Sequence, residues 1–281
     1  MTFNMTQIPS FGVAGNFTGH LEQAGEARDF ANVKTNDSTA PKAVFPTYIP
    51  ATAATAVVPE FLTVYPFDAE KIIYPAGEQK VQLEPECAII FNSTWNGASL
   101  TSLEPVAFGA SNDCSIRKDG AKKISQKKNW GKSSKGFSNN LIAIDSFDST
   151  GILNRYRIAS FMIRDGKVYD YGEDSAVRDY SYIYQKLIDW MLDKFNNQKD
   201  EGPAEDIHSY LVAAGCPKQI MVSIGATRYT EFGQTNFLQA GDESVVILYP
   251  ENYSLEQIKD NLKTGAAFSD DISVLRQKII L

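Results

Sequence analysis

The chain has 281 residues, of which 43% are hydrophobic and 22% charged, the make-up of a globular protein with a large core in one big domain or two of ordinary size. A formal net charge of −7 argues against general binding to nucleic acid or to an anionic membrane. Three widely spaced cysteines, Cys87, Cys114 and Cys216, form no C-x-x-C pattern, so neither a disulfide framework nor a thiolate zinc site is suggested.

The opening residues are polar and broken by Pro9, Gly12 and Gly15, so no secretory leader is expected. No apolar run approaches the ~18–20 residues that span a bilayer. A cytoplasmic location is the default expectation. Residues 1–80 are rich in Gly, Pro, Ala and Thr without a long periodic segment. Within them, the proline-punctuated stretch from Asn36 to Phe61 reads as loop or short edge strand. The Gly-rich segment before His20 leads into a short helix. From Val81 the pattern turns strand-like. Asp165-Gly166, between alternating runs from Tyr156 to Tyr171, is a hairpin signal. Tyr180, Ile183, Tyr184, Leu187, Ile188, Met191, Leu192 and Phe195 recur at three-and-four spacing and predict an amphipathic helix. A second helix is expected from Pro203 to Gly215. "QIMVSIG" and "ESVVILY" read as buried strands. Ser254 and Gln257 form a capping-box pattern for a last helix that Gly265 closes. Many strands with irregularly interspersed helices point to an α+β fold.

In "VQLEPECAII", Glu84 and Glu86 stand two residues apart in a strand-like run, and in a strand they would share a face. An edge strand with solvent-facing acids is one reading, and Pro85 favours an edge. If the acids are buried, they need a cation. Asp113, in "VAFGASNDCSIRK", supplies a third hard oxygen ligand, and such a set selects Mg²⁺, Mn²⁺ or Ca²⁺ over zinc. Arg117 follows it. The run Lys118–Gly136 concentrates lysines in an acidic protein. It reads as a solvated loop, or as one that holds a single lysine, Lys132, against an anionic substrate to stabilise a developing oxyanion. A nucleic-acid role with Trp130 and Phe137 stacking conflicts with the overall charge. His208 falls in the second helix and reads as structural, whereas His20 sits among glycines that suit a mobile lid.

Taken in order, these segments resemble the fumarylacetoacetate hydrolase family. Gly15, Asn16, Phe17 and His20 are similar to its lid motif, and Glu84 and Glu86 to its Glu-x-Glu strand. Asn112, Asp113, Ser115 and Arg117 are similar to its Asn-Asp-x-Ser-x-Arg segment, and Gly131, Lys132 and Ser133 to its Gly-Lys-Ser. Gly225 to Thr227, with Leu238, Gly241 and Asp242, resembles its late Gly-Thr and Gly-Asp segments.

The resemblance implies a mixed β-roll of packed sheets with a few flanking helices. It also implies an N-terminal lid and extension segment over residues 1–70, a catalytic domain over 71–281, and a homodimer. Glu84, Glu86 and Asp113 would hold the metal, Mg²⁺ or else Mn²⁺ or Ca²⁺. Arg117, Lys132 and Thr227 would bind the substrate, and His20, Gln23 and Lys132 would be catalytic. The substrate would be a small oxo-acid such as an acylpyruvate, and carbon–carbon hydrolysis or decarboxylation would pass through an enolate. Neither a nucleic acid nor a membrane is implied as partner. The chain departs from the family pattern where Gln23 replaces the acid after the lid His, where Lys118 follows Arg117, and where no Pro follows Thr227. On a helix Gln23 shares a face with His20, while Glu22 and Glu26 do not. Gln23 could orient His20 but not neutralise it, leaving a weaker base. The alternative is a non-catalytic relative that keeps the fold as a metal- or carboxylate-binding module.

Overall fold

The computed structural model describes residues 3–281 except 31, 32, 34, 36, 51–56 and 119. The elements in chain order are β1 (Ser10–Ala14), α1 (His20–Gln23), β2 (Ala43–Tyr48), β3 (Lys71–Ile73), β4 (Val81–Gln82), β5 (Pro85–Asn96), β6 (Ser99–Asn112), β7 (Ser115–Ile116), β8 (Gly136–Phe137), β9 (Ile142–Ala143), β10 (Tyr156–Arg164), β11 (Lys167–Ala176), α2 (Tyr184–Asn197), α3 (Ile207–Ala213), β12 (Gln219–Ala226), α4 (Glu231–Thr235), β13 (Glu243–Pro250), α5 (Leu255–Thr264) and β14 (Ser273–Ile280).

The strands form a larger sheet in the order β2-β1-β12-β5-β6-β8, with β9 also on β6, and a smaller one in the order β11-β10-β13-β14-β3. A separate ribbon pairs β4 with β7. The β1–β12 and β14–β3 pairs are parallel and the other pairs antiparallel, so the fold is the expected α+β arrangement of mixed sheets. Ile89, Phe91 and Phe108 from the larger sheet share one core with Ile158, Val246, Leu248 and Leu275 from the smaller. Helix α2 lays Leu187, Met191 and Phe195 against the larger sheet, and the Phe195 and Phe11 rings meet edge-on with centroids 5.0 Å apart. Helix α5 buries Ile258 and Leu262 on the outer face of the smaller sheet. Among the described residues, no helix is long and apolar enough to cross a membrane.

Local chemistry explains several boundaries. Asp165 and Gly166 both take positive φ, 52° and 73°, and make the tight β10–β11 hairpin turn. Helix α5 begins at the expected capping box of Ser254 and Gln257 and ends on Gly265 at φ 70°. Helix α2 starts at Tyr184, later than the periodicity suggests. The Tyr182 backbone is held instead by the Asn16 amide, which accepts from Tyr182 N and donates to Tyr182 O. Helix α3 starts after Asp206, whose carboxylate caps Ser209 N, so Pro203 lies in the preceding turn. The expected loop or edge strand at 36–61 contains edge strand β2, although residues 36 and 51–56 lie outside the described residues. The Gly-rich start is more ordered than its composition suggests. Residues 10–14 form an interior strand, and Gly12 leaves the space that the Phe45 ring fills, since a Cβ there would lie 2.3 Å from Phe45.

Candidate metal and substrate site

Glu84 immediately precedes β5, Glu86 is its second residue, and Asp113 immediately follows β6. The β5–β6 register sets Pro85 opposite Asn112 and Glu86 opposite Ser111, which brings the three acids together. The Asn112 side chain fixes the corner: its Oδ1 accepts from Glu84 N, and its Nδ2 donates to Gln277 Oε1 at 3.0 Å. One ligand oxygen from each acid lies within 4.8 Å of the others. Glu84, Glu86 and Asp113 are 3%, 1% and 2% exposed, so the solvent-facing edge-strand reading does not hold.

A bulge in β12 between Ser223 and Ala226 turns the Gly225 N–H onto Glu86 Oε2 at 2.9 Å. Burial, with the charges of Asp113 and Glu84 adding to it, pushes the Glu86 carboxyl well above the usual carboxylate range. Glu84 goes the other way. Burial would raise it, but Lys128 and Arg117 hold it well below that range.

The cations come from Arg117 and the lysine-rich run. Lys128 Nζ lies 2.6 Å from Glu84 Oε2 and 2.7 Å from Asp113 Oδ2. Strand β8 pairs with the end of β6 and sets the fully buried Lys135 ammonium against Asp113 Oδ1. Burial keeps Lys135 below the usual lysine value despite that carboxylate. Arg117 donates to Gln82 Oε1 (2.6 Å), Glu26 Oε1 (2.7 Å) and the Tyr229 hydroxyl (3.0 Å), and its guanidinium forms an ion pair with Glu84 Oε1 at 2.7 Å. Lys127 also pairs with Glu26 at 2.8 Å. Burial works against the Glu26 charge, but Arg117 and then Lys128 bring its carboxyl down to about 2.

His20 is buried beside the acids. Its Nδ1 lies 2.8 Å from the Thr227 carbonyl, which can only accept, so Nδ1 carries the hydrogen and Nε2 keeps its lone pair. Burial holds the imidazole below its ordinary value, with Glu84 pulling up and Arg117 pushing down. A neutral His with a free Nε2 has the form a general base needs. A cavity of about 20 Å³, room for roughly one water, lies among His20, Glu84, Glu86 and Lys128. An open cleft of about 280 Å³ lies beyond Glu26 and Arg117, with Gln23, Lys80 and Lys118 at its edge.

The structure brings together His20, Glu84, Glu86, Asp113, Arg117 and Thr227. It does not bring Lys132 to them: that side chain is exposed on a turn, and Lys128 and Lys135 of the same run meet the acids instead. Gln23 lies beside the cleft, but its amide pairs with the Tyr229 backbone in both directions, and the Thr227 carbonyl is the partner of His20. Glu26 was not expected inside. Helix α1 is only one turn long, and Gly25 at φ 72° folds the chain back so that Glu26 points to Arg117. The burial of Lys128 and Lys135 had one sequence signal, an unusual number of lysines in an acidic chain; Glu26 had none.

The donor set fits a hard divalent cation. Three carboxylates converge, and Glu84 Oε1 and Asp113 Oδ2 have no hydrogen-bond donor aligned on them although each faces a cation at 2.7 Å.

A family model described as "Family of unknown function (DUF5718)" matches residues 26–279. No curated protein matches the chain. Among solved structures, Cg1458 with an inhibitor is similar at a TM-score of 0.58 and 14% identity, over 97% of this chain and 76% of that one. The 2-keto-3-deoxy-D-arabinonate dehydratase complexed with magnesium and 2,5-dioxopentanoate is similar at 0.56 and 12% identity, over 97% and 72%. A protein from Yersinia pestis CO92 described as of the fumarylacetoacetate hydrolase family is similar at 0.53 and 13%, over 97% and 94%. The fold is therefore that of the fumarylacetoacetate hydrolase family, as the motif order implies.

Proposed function

We propose that this chain, which belongs to the family of unknown function (DUF5718), is a divalent-metal-dependent enzyme acting on a small oxo-acid by carbon–carbon hydrolysis or decarboxylation. The observation that carries the reading is the buried triad of Glu84, Glu86 and Asp113 beside a neutral His20. A fold shared with a dehydratase solved with magnesium and 2,5-dioxopentanoate supports it.

Glu84, Glu86 and Asp113 would hold the metal, with Mg²⁺ the first candidate and Mn²⁺ and Ca²⁺ the others. When bound, it supplies positive charge to the oxygens of an oxo-acid as negative charge develops there. The residues of the chain do the rest. The Gly225 N–H fixes the Glu86 carboxylate and the Asn112 amide oxygen holds the Glu84 backbone, so that the acids need little reorganisation. The Thr227 carbonyl holds His20 with Nε2 free to take a proton from substrate or water. Lys135, buried against Asp113, would stabilise oxyanion charge, the role that the lysine-run reading gave to Lys132. Arg117 joins Glu26 to Glu84 between the cleft and the acids, where it would orient an anionic substrate.

A panel of acylpyruvates and oxaloacetate with Mg²⁺ or Mn²⁺ tests the reading. Turnover that requires the metal and is lost in His20→Ala supports it; no turnover across the panel counts against it. A second reading, a non-catalytic relative that binds a metal or a carboxylate, is favoured by the small volume of the cavity among the acids. In that case ligands would raise the melting temperature without turnover.

A further inference from the structure

We infer that the Lys128 ammonium occupies the divalent-cation position of the acid triad, so that a metal ion enters only when Lys128 moves out. Its Nζ touches Glu84 Oε2 and Asp113 Oδ2 at 2.6 and 2.7 Å, and these belong to two of the three carboxylates that would ligate the metal. A bound Mg²⁺ would sit about 2.0–2.1 Å from such oxygens, so ammonium and metal compete for the same central point.

The charge balance points the same way. Three carboxylates, Glu26, Glu84 and Asp113, already pair with four cationic side chains, Arg117, Lys127, Lys128 and Lys135. A dication added beside Lys128 would leave a buried positive excess, whereas exchange for Lys128 limits it. The remaining room, about 20 Å³, does not admit an oxo-acid while Lys128 stays in place.

The backbone allows such an exchange. Lys128 follows a single 3-10 turn, Ile124–Lys127, and belongs to no strand, so its displacement breaks no sheet pairing. While on the acids, its Nζ also lies 5.3 Å from the Phe45 ring centroid. Lys128 thereby sets the metal affinity of the site and couples metal loading to opening of the cavity.

The inference rests on the reading of the triad as a metal site. The experiment is calorimetric titration of Mn²⁺ into wild type, Lys128→Gln and Lys132→Gln, the last an exposed control from the same run. Lys128→Gln is expected to bind Mn²⁺ more tightly by roughly tenfold or more, with Lys132→Gln unchanged. Equal binding by wild type and Lys128→Gln keeps the metal and overturns the role of Lys128. Binding by neither overturns both readings. Binding by Lys128→Gln alone supports the inference while removing the metal from the native function. If Lys128→Gln does not fold, Lys128→Met keeps the aliphatic stem and carries the same comparison. Diffraction from wild-type crystals soaked in Mn²⁺ tests the point without a variant: Glu84 and Asp113 hold either the metal or Nζ. A map with both on the same oxygens overturns the inference.

Discussion

Replacing Arg117 by Lys keeps the charge and removes the fork. In the native chain, one guanidinium serves two carboxylates, an amide oxygen and a phenol, all within 3.0 Å. A single ammonium on a shorter stem lacks the planar fork, so Gln82 Oε1 and the Tyr229 hydroxyl lose their donor and Glu26 and Glu84 are left to Lys127 and Lys128. Each buried group left unpaired costs about 1–3 kcal/mol, and breaking a buried ion pair costs about 3–5 kcal/mol. Because the neighbouring lysines still face the acids, the net loss is taken as about 3–5 kcal/mol. For a chain of this size, that lowers the melting temperature by roughly 5–9 °C. Urea unfolding of wild type and Arg117→Lys at pH 7, in low and high salt, measures it. The Arg117 side chain is only 9% exposed, so added salt should not close the gap. A loss below about 1 kcal/mol, or one that salt removes, would mean that Arg117 behaves as a surface ion and that the buried network is misread.

Other perturbations probe separate parts of the account. Asn16→Ala deletes the amide that bonds Tyr182 N, Tyr182 O and Ile224 O, and should cost about 3 kcal/mol in urea unfolding. Gly225→Ala forces a side chain into φ 119° with Asn16 Cβ 3.0 Å away, and should lose about 1–3 kcal/mol together with metal affinity, since the same residue holds Glu86. Glu205 is buried and its carboxyl is pushed up to about 7, with Ser125 Oγ donating to it. The folded chain therefore keeps a proton that the unfolded chain releases near 4.5, and stability falls as pH rises from there toward 7. Glu205→Gln should remove that slope and gain up to about 3 kcal/mol over wild type at pH 8, with little gain at pH 4; equal pH profiles would contradict the shift.

Local chemistry in the sequence carried much of the architecture. The Asp165-Gly166 turn, the Ser254 capping box and the apolar face of α2 depend on neighbouring residues, and all three appear in the fold. The acid triad was also readable, because Glu84 and Glu86 stand together at the start of β5 and the Asn112-Asp113 corner brings the third acid. Long-range contacts decided the rest. Strand β1 is a strand because β2 and β12 flank it, not because its own five residues alternate. Which lysine of the run reaches the acids depends on the 3-10 turn at Ile124–Lys127 and on the pairing of β8 with β6; neither shows in composition. Glu26 depends on the left-handed turn at Gly25, which a helical extrapolation from His20 misses.

The proposed function stands or falls with a divalent cation at Glu84, Glu86 and Asp113 that an oxo-acid chelates. The measurement that tests it most directly is a Mn²⁺ titration of the chelator-treated chain followed by electron paramagnetic resonance, before and after oxalate, with Glu86→Ala alongside. The free-ion signal should disappear up to one Mn²⁺ per chain, oxalate should change the bound spectrum, and Glu86→Ala should leave the ion free. A signal that stays free in the wild type, or binding that survives Glu86→Ala unchanged, would contradict it.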